Sequence, residues 1–179
     1  MIALFIGGEK SGKSDLALER FLDLPAPRTL VVTGKAQDFS FRRRIEAHRQ
    51  DPRRSGAQMR VAEAGIDLAA PLARHAENGV ASLLVDSLDY WVFAVLEAEG
   101  ETGLATRVGE LVDTLDSFAR AGAPNVVLVS CEVGLGPIAA SPEIRAFVRS
   151  LGECNRRIAG TCDEATFCAA GLPMQLKTR

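Results

Sequence analysis

Histidine and the larger polar aromatics are scarce in this chain: of 179 residues, two are histidine, one is tyrosine and one is tryptophan. The four cysteines, Cys131, Cys154, Cys162 and Cys168, also lack close paired spacing. A structural zinc site needs a full tetrahedral set of nitrogen and sulfur ligands at short intervals, so none is expected. Thiols without a pairing framework point to a reducing compartment. Neither sign of charge is in large surplus, and a formal net charge of −2 gives no global attraction to nucleic acid or anionic membrane. No apolar run approaches the roughly 20 residues that span a bilayer. Residues 1–6 enter an apolar strand at once, with no basic leader before it. The expectation is a cytoplasmic protein with no nucleic-acid partner and no stable membrane insertion.

What the chain does have is 47% hydrophobic residues, arranged in recurring apolar, β-branched segments: Ile2–Ile6, Thr29–Thr33, Ser82–Val85 and Val126–Ser130. Gln58–Ala62 and Ala165–Ala169 are weaker candidates. Helical periodicity fills the intervals at Ala17–Phe21, Phe41–Arg49, Leu68–His75, Leu104–Ala121 and Ile144–Ala159. Continuous rather than alternating apolar strands suit a mainly parallel sheet covered by helices on both faces. Asp38 is placed to cap the Phe41 helix, and Pro142 suits the first turn of the last one. Gln50–Ala57 and Glu97–Gly103 read as exposed loops, neither long enough to divide domains. Internal repeats and low-complexity tracts are lacking. The expectation is one α/β domain over residues 1–179.

The first strand runs into Gly7-Gly8-Glu9-Lys10-Ser11-Gly12-Lys13-Ser14, followed by a helical stretch. Strand, glycine-rich loop and helix in this order form a phosphate-binding loop, with backbone amides and the helix N-terminus around the phosphates. Lys13 reaches the β- and γ-phosphates, and the Ser14 hydroxyl ligates Mg²⁺. The expected ligand is therefore a Mg²⁺-bound nucleoside triphosphate. Asp86, at the end of the Ser82–Val85 strand, is placed to hold the metal through water or to orient a nucleophile; the competing reading is a cap for a helix over Leu88–Leu96. Asp89 is a weaker candidate for the same neighbourhood. Glu132, after Val126–Ser130 and before Val133-Gly134-Leu135-Gly136-Pro137, either contacts nucleotide or acceptor or caps a turn.

Basic residues are concentrated locally. Lys35, Arg42, Arg43, Arg44, Arg49, Arg53, Arg54 and Arg60 face only Asp38, Glu46 and Asp51 in the same stretch. This surplus fits either an anionic substrate or a solvated helix face. Within it, His48 lies four residues after Arg44, so both fall on one helix face. A neutral imidazole among guanidinium groups can attack phosphorus while the arginines hold its oxygens, and those arginines depress the imidazole pKa. A solvated surface histidine is the plainer alternative.

These elements together resemble the bifunctional adenosylcobinamide kinase/adenosylcobinamide-phosphate guanylyltransferase family of cobalamin biosynthesis. The carrying motifs are Gly7–Ser14, Arg44-Ile45-Glu46-Ala47-His48-Arg49, Glu132-Val133-Gly134-Leu135-Gly136, the Gly152 and Asn155 pair, and Ala170-Gly171-Leu172-Pro173 through Lys177. They run in order over almost the whole chain. The resemblance implies a single phosphate-loop nucleotide-hydrolase-like domain with two activities. One phosphorylates the terminal hydroxyl of the aminopropanol arm of adenosylcobinamide. The other converts the product to adenosylcobinamide-GDP with GTP, releasing pyrophosphate through a guanylylated histidine, here His48.

On that reading Lys13, Asp86 and His48 are catalytic, and Ser14 and Asp86 serve Mg²⁺. Gly7, Gly8, Glu9, Lys10, Ser11, Gly12, Lys13, Ser14, Arg44, Arg49, Glu63 and Glu132 bind nucleotide. The implied partners are a corrinoid substrate, a nucleoside triphosphate and further copies of the chain, as a homotrimer or other homo-oligomer. The chain departs from the family pattern at Ser40, Met59, Ala94, Cys131, Ile138-Ala139 and Ser150, around the acceptor and nucleotide pockets. These departures leave two competing readings: a divergent single-activity kinase or transferase, and a nucleotide-binding regulatory or assembly protein.

Overall fold

The computed structural model describes residues 1–33 and 59–178. The expected helix Phe41–Arg49, its Asp38 cap and the loop Gln50–Ala57 lie outside the described residues, as do His48, Arg44 and Arg49. The strands are β1 (Ile2–Gly7), β2 (Arg28–Thr33), β3 (Met59–Ala64), β4 (Ser82–Asp86), β5 (Asn125–Cys131), β6 (Glu164–Ala169) and β7 (Leu172–Lys177). The described helices are α1 (Lys13–Leu22), α2 (Ala69–Glu77), α3 (Leu88–Ala121) and α4 (Pro142–Thr161). All seven strands form one sheet in the order β3-β2-β4-β5-β1-β6-β7. Every neighbouring pair is parallel except the β6–β7 hairpin.

The continuous apolar runs are explained by burial on both faces. Successive side chains of a strand point to opposite sides, so β1 divides its residues between two cores. Ile2, Leu4 and Ile6 join Val31, Leu83, Val85, Val126 and Leu128 under α2, α3 and α4. Ala3 and Phe5 join Leu30, Val32, Leu84, Val127 and Val129 against Ala17, Leu18 and Phe21 of α1. All six β1 residues and all five β4 residues are buried. These two strands end at Gly7 and Asp86, so the best-buried parts of the sheet carry the first loop and the first acidic candidate.

Two expectations change. Glu97–Gly103 is not a loop: it lies inside α3, whose backbone leaves helical geometry only at Gly100 (φ 69°, ψ −171°). Arg107 spans this kink, donating to Glu99 at 3.2 and 3.0 Å from Nε and Nη2. The apolar stripe resumes at Leu104 and Val108, so packing carries the helix past its glycine. The second change is β7, which sequence periodicity did not mark. It is an edge strand with Leu172, Met174 and Leu176 exposed, and Pro173 fits an edge position where a missing N–H costs little.

Helix starts follow local chemistry. α4 begins with Pro142 in its first turn, as expected, and the Ser141 hydroxyl accepts from the Ile144 N–H at 3.4 Å. α3 begins after Ser87, whose side chain makes no capping hydrogen bond. Asp86 therefore belongs to β4 rather than to the cap position of that helix. No described helix is long and apolar enough to cross a membrane.

Candidate active site

β4, β5 and β1 are adjacent in the sheet and end at Asp86, Cys131 and Gly7, with Gly7 in register with Cys131 and Asp86 with Val129. This is the edge of a parallel sheet at which ligands bind. A cavity of about 400 Å³ opens there, lined by Glu9, Lys10, Ser11, Gly12, Lys13, Ser14, Asp15, Asp86, Ser87, Asp89, Tyr90 and Cys131. Six of the eight loop residues named from sequence line it, together with Asp86; Gly7 and Gly8 form the approach from β1.

The loop is braced from the far side by the β6–β7 turn. Lys10 and Gly12 both have left-handed backbones (φ 57° and 87°), and the Ser11 N–H closes onto the Gly8 carbonyl at 3.3 Å. The Gly171 N–H donates to the Ser11 carbonyl at 2.9 Å. A Cβ on Gly12 would lie 2.9 Å from the Gly171 Cα, so the two backbones touch directly. Lys13 begins α1 and donates from Nζ to the Gly8 carbonyl at 3.1 Å, which keeps its ammonium over the loop. Its partial burial and the positive end of α1 make this corner a natural anion cradle.

Asp86 is only 3% exposed, and its setting is fixed from the neighbouring strand. Thr33, at the end of β2, accepts from the Ser87 N–H at 3.0 Å and donates its hydroxyl proton to the Ser87 carbonyl. Fully buried Thr33 thus ties the β4–α3 junction with both of its hydrogen-bonding capacities. A second brace stands behind β5. Asn155 of α4 donates to the Cys131 carbonyl at 2.9 Å and accepts from the Ser130 hydroxyl at 2.6 Å. Asn155 of the Gly152/Asn155 motif therefore holds the end of β5.

Ser14 and Asp86 fit the Mg²⁺ of a bound triphosphate: they offer a hydroxyl and a buried carboxylate on the wall of one cavity. Mg²⁺ keeps several waters and takes phosphate oxygens, so it needs few protein ligands. Glu132 stands just beyond the cavity. Its Oε1 accepts from the Gly134 N–H at 2.7 Å and its own N–H donates to the Gly7 carbonyl at 3.1 Å, so here it closes a turn. Glu63 is exposed on β3, paired with Val32, and does not line the cavity. Ser87, Tyr90 and Cys131 are site residues the sequence did not single out as ligands. Asp89 was only weakly marked, by its position three residues after Asp86.

Among the family departures, Ala94 is buried in α3 and Met59 is half-buried on β3. Ser150 lines a separate cavity between α3 and α4. Cys131 is the departure that reaches the phosphate cavity. Burial and the nearby Asp89 carboxylate push its thiol pKa up, with Lys13 pulling the other way. All four cysteines are free, and burial raises each, Cys154 and Cys162 to about 12. Since the thiolate is the nucleophile, Cys131 is expected to react with iodoacetamide at pH 7 several-fold more slowly than a free thiol. Mg²⁺–GTP should slow it further. Intact-mass kinetics measure this, and a rate equal to free cysteine, unaffected by nucleotide, would contradict the placement.

Residues 3–176 match the sequence family described as "Cobinamide kinase / cobinamide phosphate guanyltransferase". The chain is 34% identical over 174 residues to the bifunctional adenosylcobalamin biosynthesis protein CobP of Pseudomonas aeruginosa, covering 97% of this chain and 96% of that protein. Among solved structures, the P4 protein of bacteriophage phi6, in complex with ADP, superposes with a TM-score of 0.49 at 16% identity. That likeness covers 96% of this chain and 52% of the phage chain. The match over nearly the full length settles the family: the chain belongs to the cobinamide kinases/cobinamide phosphate guanyltransferases.

Proposed function

We propose that the phosphate cavity is the triphosphate station of both family reactions and that His48 is the covalent station of the second. The observation that carries this is the convergence of Lys13 and Ser14, at the start of α1, and Asp86, at the end of β4, on one cavity. In the kinase step, Lys13 and the loop amides hold the β- and γ-phosphates in line with the incoming hydroxyl of the aminopropanol arm. Ser14 and Asp86 would hold Mg²⁺, which would supply charge neutralisation across the phosphates. GTP or ATP is the phosphoryl donor.

In the guanylyl step, an imidazole nitrogen of His48 attacks the α-phosphorus of GTP and pyrophosphate leaves. The phosphate oxygen of adenosylcobinamide phosphate then attacks the same phosphorus and displaces His48, giving adenosylcobinamide-GDP. Arg44 and Arg49 would hold the phosphoryl oxygens, with Glu63 and Glu132 at the nucleotide's periphery. Support for His48, Arg44 and Arg49 is their match to the family motif. Residues 1–179 act as one catalytic unit in this reading. A reducing, cytoplasmic setting agrees with four free thiols. A homotrimer or other homo-oligomer is supported by the exposed Leu172, Met174 and Leu176 of β7 and by Leu135 and Ile138 after β5.

The test is incubation with α-³²P-GTP and Mg²⁺. The expected result is an acid-labile, base-stable label on the protein that disappears in His48→Ala. A folded His48→Ala protein that labels as the parent does would remove His48 from the mechanism. GTP binding without any label on the parent would remove the covalent route.

A further inference from the structure

We propose that Asp89 is the catalytic base of the kinase reaction, receiving the proton of the substrate hydroxyl as phosphate is transferred. The inference rests on the kinase reading above and adds a residue that neither the phosphate loop nor the metal set supplies. Transfer to an alcohol needs a proton acceptor within reach of the reacting oxygen. Among the described residues the cavity offers four carboxylates: Glu9, Asp15, Asp86 and Asp89. Glu9 and Asp15 are exposed on the loop and on the outer turn of α1. Asp86 is taken up with the metal. Asp89, in the first turn of α3 and half-buried, remains.

Its setting is costly in a way that stability does not explain. The Asp89 Oδ1 is covered from solvent and has no hydrogen-bond partner among the described residues. A buried, unpaired carboxylate oxygen normally costs folding free energy, and such groups in native proteins call for a reason. The surroundings of Asp89 are polar: the positive N-terminus of α3 lies beneath it, Lys13 stands in the same corner, and the Cys131 thiol is hydrogen-bonded to the carboxylate, leaving Oδ1 as the oxygen without a partner. Lys13 also places the γ-phosphate, so the acceptor and the reacting phosphorus share one wall of the cavity.

The step balances without any further reagent. The substrate oxygen forms a bond to the γ-phosphorus while that phosphorus parts from the bridging oxygen. The bonding pair leaves with the nucleoside diphosphate, and the hydroxyl proton passes to the Asp89 carboxylate, which returns it to water after product release.

The experiment compares the parent protein with Asp89→Asn, using adenosylcobinamide and γ-labelled GTP for turnover and a fluorescent GTP analogue with Mg²⁺ for binding. The expected kcat loss is about 10²–10³-fold, within the range of general-base removal. Nucleotide affinity and the Mg²⁺ dependence of binding should stay within about three-fold, and the melting temperature should hardly move, since Asn keeps the shape of the side chain and removes a half-buried charge. A kcat within about three-fold of the parent overturns the proposal. So does a loss of Mg²⁺–nucleotide affinity matching the loss of turnover, which would place Asp89 in the metal set. If Asp89→Asn does not fold, Asp89→Glu decides: it retains the acceptor and should keep measurable turnover with unchanged nucleotide affinity, and a folded, nucleotide-binding but inactive Asp89→Glu overturns the proposal. A parent protein that binds GTP but phosphorylates no corrinoid alcohol refutes the kinase reading itself, a different result from any of these.

Discussion

Lys13→Ala is expected to lower kinase kcat/KM by about 10³-fold while leaving the fold intact. In the proposed kinase step the Lys13 ammonium, on the cavity wall with Lys10, meets charge developing on the β–γ bridge, and removing one preorganised donor of that kind commonly costs 10²–10³-fold (roughly 3–4 kcal/mol of barrier). In the folded protein it donates to the Gly8 carbonyl at 3.1 Å and interacts with the Cys131 thiol. That carbonyl sits on a half-exposed residue and can turn to water, so the loss of stability should stay below about 1 kcal/mol. The side chain also places positive charge at the N-terminus of α1, where the helix dipole disfavours it, and its removal offsets part of that loss. Lys13→Arg should rescue poorly, because a planar guanidinium does not reproduce a compact ammonium in a tight loop. Turnover with γ-labelled nucleotide and a thermal melt measure the two halves. Retention of a tenth or more of the parent kcat/KM would show that another group carries this charge.

Why Lys13 was legible in the sequence while Asp89 was barely so is a matter of where the determinants lie. The phosphate loop is local: strand, glycines, lysine and helix are consecutive, so spacing alone defines the geometry. The parallel strands were legible for a related reason, since burial on both faces turns each into an unbroken apolar run, as in Ile2–Ile6 and Val126–Ser130. Asp89 and Cys131 meet only because β4 and β5 are neighbours in the sheet, which no local pattern states. The kinked α3 reads as a loop at Glu97–Gly103 because Gly100, Thr102 and Gly103 lower helix propensity and the stretch is polar. Tertiary packing of Leu104, Val108 and Leu111 overrides that preference. β7 was hidden by its exposure: Leu172, Met174 and Leu176 alternate with polar residues, but Pro173 argues against a strand except at an edge, which is where it lies. The sequence around Glu132 suits a ligand and a turn former equally, and the hydrogen bond from the Gly134 amide to its carboxylate is a turn contact.

The C-terminal hairpin matters to the active site through Gly12, and Gly12→Ala is expected to lose about 2–4 kcal/mol of stability together with at least tenfold in nucleotide affinity. Two costs act at this residue. Its φ of 87° is a left-handed conformation that L residues occupy at a cost of about 1–3 kcal/mol. The added methyl would also stand 2.9 Å from the Gly171 Cα, a backbone atom that cannot rotate away. Relief requires the loop and the β6–β7 turn to separate, which strains the Gly171 N–H bond to the Ser11 carbonyl and shifts the amides that face the phosphates. For a chain of this size the stability loss corresponds to roughly 4–16 °C in melting temperature. Two other alanine variants divide the costs. At Gly171 the backbone is also left-handed (φ 78°) but a Cβ meets nothing within 4 Å, so only the conformational cost should appear. At Gly8 neither cost applies, so the melting temperature should hardly move. The expected order of destabilisation is therefore Gly12→Ala, then Gly171→Ala, then Gly8→Ala. If Gly12→Ala melts with Gly171→Ala and binds GTP as tightly, the hairpin does not brace the loop, and the two turns are merely close.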